Sequence, residues 1–356
     1  MRKVALLALL VGFGAAIAAV AAAVGASQGQ SNIPGASGTI WAVERFDTGP
    51  NTLAALDAST GRVLGVVQIG RRPIGVTSPK GTAKVYTADE RSNQLTVVSK
   101  NDFSIVTHIA MGAFPHHLMA SPNGKQLYVG EYGTNKVGVV DTTTDTLAAE
   151  WEASANPLAK THAVWITGSG KELYATNEGS TQAAIGTLSK LDPATGERLW
   201  EVPIGARPSE VLVTPNGKTA YVTLRNENAL KVFDVSGDAP AGPTGEVVVG
   251  GSPDTLQITG DGKTLVVGLR SIPQMALVDT ETLAVRHVTF QGFGISGHQW
   301  LSPNGRYTFI ALESAVTTQP GAIGVVDNDS GDVLATWEYP GGPFPHGVFY
   351  EPQVLR

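Results

Sequence analysis

The chain contains no cysteine. That excludes disulfide staples, thiolate metal sites, a cysteine nucleophile and a lipid-bearing cysteine, so the fold must be held together by packing. Charge is scarce too: 16% of 356 residues are charged, and no basic tract accompanies the formal net charge of −6. The electrostatic footprint of a nucleic-acid binder is therefore missing, and no nucleic-acid partner is expected. No long amphipathic helical pattern is visible. Histidine is rare, with seven in all. What is plentiful is glycine, 42 residues, beside 21 prolines and 42% hydrophobic residues. Such a composition describes short strands joined by tight turns, with ample apolar material for a core.

The N-terminus, MRKVALLALLVGFGAAIAAVAAAVGASQGQ, has a basic start, an apolar stretch from Val4 to about Val24, and small residues before Ser27. This is the layout of a secretory signal over residues 1–26. The stretch also approaches the ~20 apolar residues that span a bilayer, so an uncleaved N-terminal membrane anchor is the alternative. Either way the body is exported, to a periplasmic, cell-surface or secreted location. Residues 27–37 read as a linker and 38–356 as one folded unit.

Internal repetition sets the fold. PHHLMASPNGKQLYVGEYGTNKVGVVDTTT (115–144), PSEVLVTPNGKTAYVTLRNENALKVFDVSG (208–237) and PDTLQITGDGKTLVVGLRSIPQMALVDTET share one plan. Each has an apolar strand, a turn of the Pro-Asn-Gly kind, a second strand around an aromatic or its equivalent, a variable loop, and a third strand ending in aspartate. A fourth strand follows, as in GERLWEVPIG. The markers Trp41, Tyr86, Tyr128, Tyr174, Tyr221, Val266 and Phe309 recur every 42 to 47 residues. Seven four-stranded units of that period predict an all-β, seven-bladed β-propeller. The first unit lacks its own first strand, and PFPHGVFYEP at the C-terminus supplies one. The C-terminal strand is therefore expected to complete the N-terminal blade and close the ring.

The units SPNGKQLYVGE, TPNGKTAYVTL and SPNGRYTFIAL resemble the YVTN family of β-propellers, across essentially the whole mature chain. The resemblance implies fold rather than activity, because its motif residues form turns and strands. Asp57, Asp141, Asp192, Asp234, Asp279 and Asp327 each end a third strand and are expected to bond turn amides. LDPATGERLW (191–200) resembles the tryptophan repeats of quinoprotein dehydrogenases, but only LDASTGRVLG echoes it and the adjacent cysteines of many such enzymes are absent. Trp151, Trp200 and Trp337 are read as packing residues. No pyrroloquinoline quinone, nucleotide or haem is expected.

A functional site should lie where the repeats differ. At the start of the first strands, two adjacent positions carry His116, His117, His162, His298 and His346, five of the seven histidines. Strand geometry puts both positions at one mouth of the axial channel, whereas His108 and His287 lie in peripheral fourth strands. The ends of the second strands return to that mouth with Arg45, Glu90, Tyr132, Glu178, Arg225, Arg270 and Glu313. This is a cup for a small ligand; the plain alternative is a set of solvated charges with Glu210 or Asp254 paired to Arg225 or Arg270.

Neutral imidazole binds copper, zinc, iron and nickel, and a chain without cysteine would use it with carboxylate. The His116–His117 pair resembles the adjacent histidines of nitrous-oxide reductase, a seven-bladed copper propeller, as thiocyanate dehydrogenase also is. That resemblance implies copper, with His116, His117, His162, His298 and His346 as ligands; nitrous-oxide reduction itself is not implied, since the chain has no copper domain bearing cysteine. Three functions are in play. In a redox metalloprotein, Glu178, Glu313 or Tyr132 would move protons while Arg225 and Arg270 hold an anionic substrate. A non-catalytic surface or periplasmic module would bind a protein, glycan or small molecule on a rigid disc. A lactonase-like hydrolase would use histidine and glutamate as acid and base, with arginine on the acyl oxygen.

Overall fold

The computed structural model describes residues 32–47, 49 and 51–353. The expected signal or anchor lies outside the described residues, as does the first part of the expected linker. Its last part is packed: Ile33 and Ala36 are buried against blades 7 and 1, and the Tyr307 hydroxyl donates to the Pro34 carbonyl at 2.9 Å. Among the described residues no helix is long and apolar enough to cross a membrane.

Seven four-stranded antiparallel sheets form seven blades. The innermost strands of blades 2 to 7 are Pro73–Thr77, Pro115–Ala120, Lys160–Ile166, Pro208–Val213, Pro253–Ile258 and Phe293–Leu301. Blade 1 takes its innermost strand from the C-terminus: Pro345–Pro352 pairs antiparallel with Gly38–Glu44, from Gly38 opposite Pro352 to Val43 opposite Gly347. Each innermost strand also touches its two neighbours, so the seven make a closed ring around the axis. The seam is locked by side chains as well. Trp41 Nε1 donates to Glu351 at 2.9 Å, Lys100 pairs with the same carboxylate, and Tyr350 donates to the Ser37 carbonyl at 2.7 Å.

The apolar core is not one body. It consists of seven clusters, one in each gap between neighbouring blades, because both faces of a four-stranded sheet must be covered. Trp41, Val43 and Leu53 of blade 1, for example, pack on Val76, Val85 and Val98 of blade 2. Trp337 lies in the cluster between blades 7 and 1, Trp151 packs on Tyr128, and Trp200 on Tyr174. The third-strand aspartates cap turns as expected: Asp57 accepts from the amides of Ser59 and Thr60 at 3.0 Å, and Asp279 from Glu281 and Thr282 at 3.0 and 2.7 Å. With the apolar mass between the blades, the axis is left to polar side chains.

Candidate functional site

In every blade the ladder between the first and second strands breaks at the same place, near the start of the first strand. The register jumps from Pro73 to Val76, from Pro115 to Leu118, from Pro208 to Val211 and from Ser296 to Gln299. Shorter jumps skip His162, Asp254 and His346. The residues skipped are those at the two variable positions. A β-bulge frees side chains from strict alternation and re-aims them, and here it turns two neighbouring residues toward different spaces along the axis.

Those spaces are two cavities. The larger, about 570 Å³, is a cup lined at its floor by the first-position residues Ile74, His116, His162, Asp254 and His346. The smaller, about 20 Å³, has room for about one water and is lined by the second-position residues Gly75, His117, Glu210, Thr255 and His298. The five histidines are thus gathered at the axis, but as two layers instead of one ring. The His116 and His162 rings are tilted by 48° with centroids 4.3 Å apart, those of His298 and His346 by 46° at 4.5 Å, and His117 stands 6.1 Å from His298. His108 and His287 are at the periphery, bonded to Gln94 and to the Val249 carbonyl.

The histidine floor is neutral. Burial holds His116 well below the ordinary imidazole range, helped by His162 and Arg225; burial and then Arg225 do the same to His162, and burial and then Arg45 to His346. His298 is pushed down to about 3 by burial, against the attraction of Asp254. Arginine can only donate, so the 2.8 Å contact from Arg225 to His162 Nε2 uses that nitrogen's lone pair. His346 donates from Nδ1 to Glu313 at 3.2 Å, and His117 Nε2 faces Glu210 at 3.1 Å. Nδ1 of His116 and Nδ1 of His117 are buried without a partner. Among the described residues no three histidine, aspartate or glutamate side chains converge on one metal position.

The walls of the cup are cationic. Seven of its lining residues are Arg45, Arg72, Arg91, Arg207, Arg225, Arg270 and Lys160, against two carboxylates, Glu90 and Asp254. Glu178 and Glu313 stand behind this wall, nearly inaccessible, as counter-ions. Asp254 bonds Arg225 at Nε and Nη2 and lies 3.8 Å from Arg270; Glu178 lies 3.6 Å from Arg225 and accepts from the Tyr132 hydroxyl at 2.9 Å; Glu313 is ion-paired with Arg270 at 2.9 Å and lies 3.6 Å from Arg45. The pairing of Asp254 with Arg225 and Arg270 is as expected, while Glu210 pairs with His117 in the lower layer. Burial opposes the Arg225 charge, yet Asp254 and Glu178 hold its affinity for the proton above the usual value. Arg45 fares differently: burial, then the repulsion of Arg270, push it down to about 10. That repulsion marks a site with more cations than its carboxylates neutralise.

Arg72, Arg91, Phe114, Gly133, Lys160, Arg207 and Ser252 line the cup and were not legible as site residues. Arg72, Phe114, Arg207 and Ser252 each precede the proline that starts a first strand, and each has a left-handed backbone, with φ of 50°, 58°, 55° and 56°. A residue before proline is ordinarily extended, so this conformation is strained in the way binding-site backbone often is. For Arg72 and Arg207 the signal in the sequence was the dipeptide itself: Arg-Pro occurs at the head of blades 2 and 5, immediately before the compared positions.

No protein-family model matches the chain, and no curated protein matches it. Solved structures do. The periplasmic gluconolactonase of Pseudomonas aeruginosa superposes with a TM-score of 0.67 at 18% identity, over 88% of this chain and 98% of that one. Hydrazine synthase of Kuenenia stuttgartiensis gives 0.63 at 18% identity, over 89% and 100%. A functionally unknown protein of Desulfotomaculum acetoxidans gives 0.69 at 13% identity, over 89% and 100%. Likeness at such identities is a likeness of fold, and one fold hosts many activities. Fold and site together define a seven-bladed β-propeller with a cationic cup on its axis.

Proposed function

We propose that this protein is an exported propeller of YVTN type that binds a small anion in its axial cup. One observation carries the reading: in a chain of net charge −6, seven cations face one cavity that only two carboxylates share. Arg225 and Arg270 are the central anion contacts, since both are held in place by Asp254 and present a planar fork of donors. The neutral imidazoles beside them bring no competing negative charge. A ligand that binds only the native state raises its stability by mass action. Inorganic phosphate should therefore raise Tm relative to sodium chloride of equal ionic strength, and Arg270→Gln should abolish most of the rise. Equal Tm values in the two salts would overturn the proposal.

A second reading adds turnover. His346, backed by Glu313, is the one imidazole–carboxylate pair that faces the cup, and it could orient water toward an ester whose oxygen an arginine holds. This is the lactonase-like alternative, and one of the structural neighbours is a gluconolactonase. Base uptake with gluconolactone faster than its spontaneous hydrolysis, falling to the spontaneous rate in His346→Ala, would support it; uptake at the spontaneous rate with the unaltered protein leaves the non-catalytic binding module. The copper reading rests on the partnerless Nδ1 atoms of His116 and His117, and it requires Arg225 to release His162. Metal analysis of untagged protein, repeated with His116 and His117 changed to alanine, checks it: bound copper lost in the variant would replace the anion with a metal.

A further inference from the structure

The cations of the cup are not equivalent. Arg45, Arg225 and Arg270 stand at the imidazole floor and share Glu313, Glu178 and Asp254 among them. Arg72 has Glu90 at 3.6 Å and Asp47 at 3.2 Å, and Arg207 has Glu178 at 3.8 Å. Arg91 and Lys160 differ from all of these. Among the described residues neither has a carboxylate within salt-bridge distance, though Glu90 feels the Arg91 charge, and each lies over an aromatic ring that also lines the cup: the Arg91 guanidinium is 5.0 Å from the Phe114 centroid and the Lys160 ammonium 5.3 Å from that of Tyr132. Arg91 lies in the 3-10 turn Glu90–Ser92 that follows the second strand of blade 2, and Lys160 begins the first strand of blade 4, so these two flank blade 3. Arg270 belongs to blade 6, across the axis from blade 3; Arg45 starts on blade 1, next to blade 2, but its guanidinium reaches toward the Arg270 side, 3.6 Å from the Glu313 that also pairs with Arg270 at 2.9 Å.

Two cationic groups at opposite sides of one cavity, with an aromatic wall leading from one toward the other, describe a ligand with two ends. A cavity of about 570 Å³ lies within the range that holds a whole small organic molecule. A single inorganic anion would satisfy one group and leave the other bare. Resting on the anion-binding reading above, we propose that the ligand is a small organic dianion with separated charges. One anionic group sits among Arg45, Arg225 and Arg270 against the imidazoles. The second lies between Arg91 and Lys160, and the body of the molecule runs along Phe114 and Tyr132. The chemistry fits a dicarboxylate or a sugar acid bearing phosphate equally, since arginine and lysine hold both groups.

The test is a ladder of acids with equal ends and growing length, propionate, succinate, glutarate and adipate, titrated calorimetrically into the full chain at fixed ionic strength. The expected result is that one dicarboxylate binds at least tenfold tighter than propionate and that affinity passes through an optimum with length. Arg91→Ala combined with Lys160→Ala should remove that preference, lowering the best dicarboxylate about tenfold; both residues are at the cup's outer rim, and an unchanged circular dichroism spectrum and melting curve would show that the variant folds. Dicarboxylates no tighter than propionate, or a preference that survives the double variant, would overturn the dianion inference while leaving the anion site standing. Absence of binding by every acid in the ladder would overturn the anion-binding reading itself.

Discussion

Glu44, Asp89 and Glu131 end the second strands of blades 1, 2 and 3, one residue before cup residues, and their carboxyl groups are buried. Burial pushes Glu44 up to about 7 and Asp89 up to about 6; burial, and then the neighbouring Glu150 carboxylate, push Glu131 up to about 7. Asp89 and Glu131 accept the amides of Gly70 and Gly112, both at 3.1 Å, in the loops that lead to Arg72 and Phe114. A carboxyl with a raised native pKa stabilises the fold when protonated, and that stability is lost as pH rises from the unfolded value near 4.5 through 7. Glu131→Gln keeps an acceptor for Gly112 without the charge. It should raise Tm by a few degrees at pH 8 and by much less at pH 5, read from thermal melts at the two pH values. The axial histidines act with the opposite sign. Of these, His116, His162, His298 and His346 are held below 6.5 by burial and lend stability above that pH which is lost as pH falls toward their native values.

At the scale of the element, the decisive device is the bulge that opens every first strand. It explains why His116 and His117, adjacent in the chain, line separate cavities, and why glycine alternates with histidine at these positions. Gly347, beside His346, packs against the next blade so closely that an added Cβ would lie 2.4 Å from the Ile74 carbonyl oxygen. Backbone cannot give way there, so Gly347→Ala should lower Tm by about 5 °C, checked by calorimetry. The hairpin turns behave more simply: Gly124, Gly217, Gly262 and Gly305 of the Pro-Asn-Gly-type repeats all have φ between 70° and 75°. This contrast marks what the amino-acid sequence discloses. Turn glycines, capping aspartates and core aromatics act locally, recur with the blade, and were readable, as was the position of all five histidines near the axis. The bulge was not, because the two residues it re-aims look like any others in an apolar strand, and without it the histidines read as a single ring. The cationic character of the cup also depends on Arg72, Arg91, Arg207 and Lys160, which belong to three different blades and meet only when the ring closes.

The whole molecule is a ring whose stability depends on its seam. Each apolar cluster lies between two blades, so an open end would expose the faces of two blades at once. Deleting residues 343–356 removes the innermost strand of blade 1, the Trp41–Glu351 and Tyr350–Ser37 bonds and part of the cluster between blades 7 and 1. The truncated chain should lose its cooperative thermal transition; an unchanged melting profile would contradict closure by this strand. Ring closure is also what brings arginines from separate blades to one axis, and with them the affinity for anions on which the functional account depends. Imidazole resonances report on that axis directly, because the three histidines of the cup and the two at the periphery answer in one spectrum. In a titration of labelled protein with citrate at constant ionic strength, the side-chain nitrogen signals of His116, His162 and His346 should shift saturably while those of His108 and His287 stay fixed. Cup histidines that do not move, or five histidines that move alike, would contradict the account.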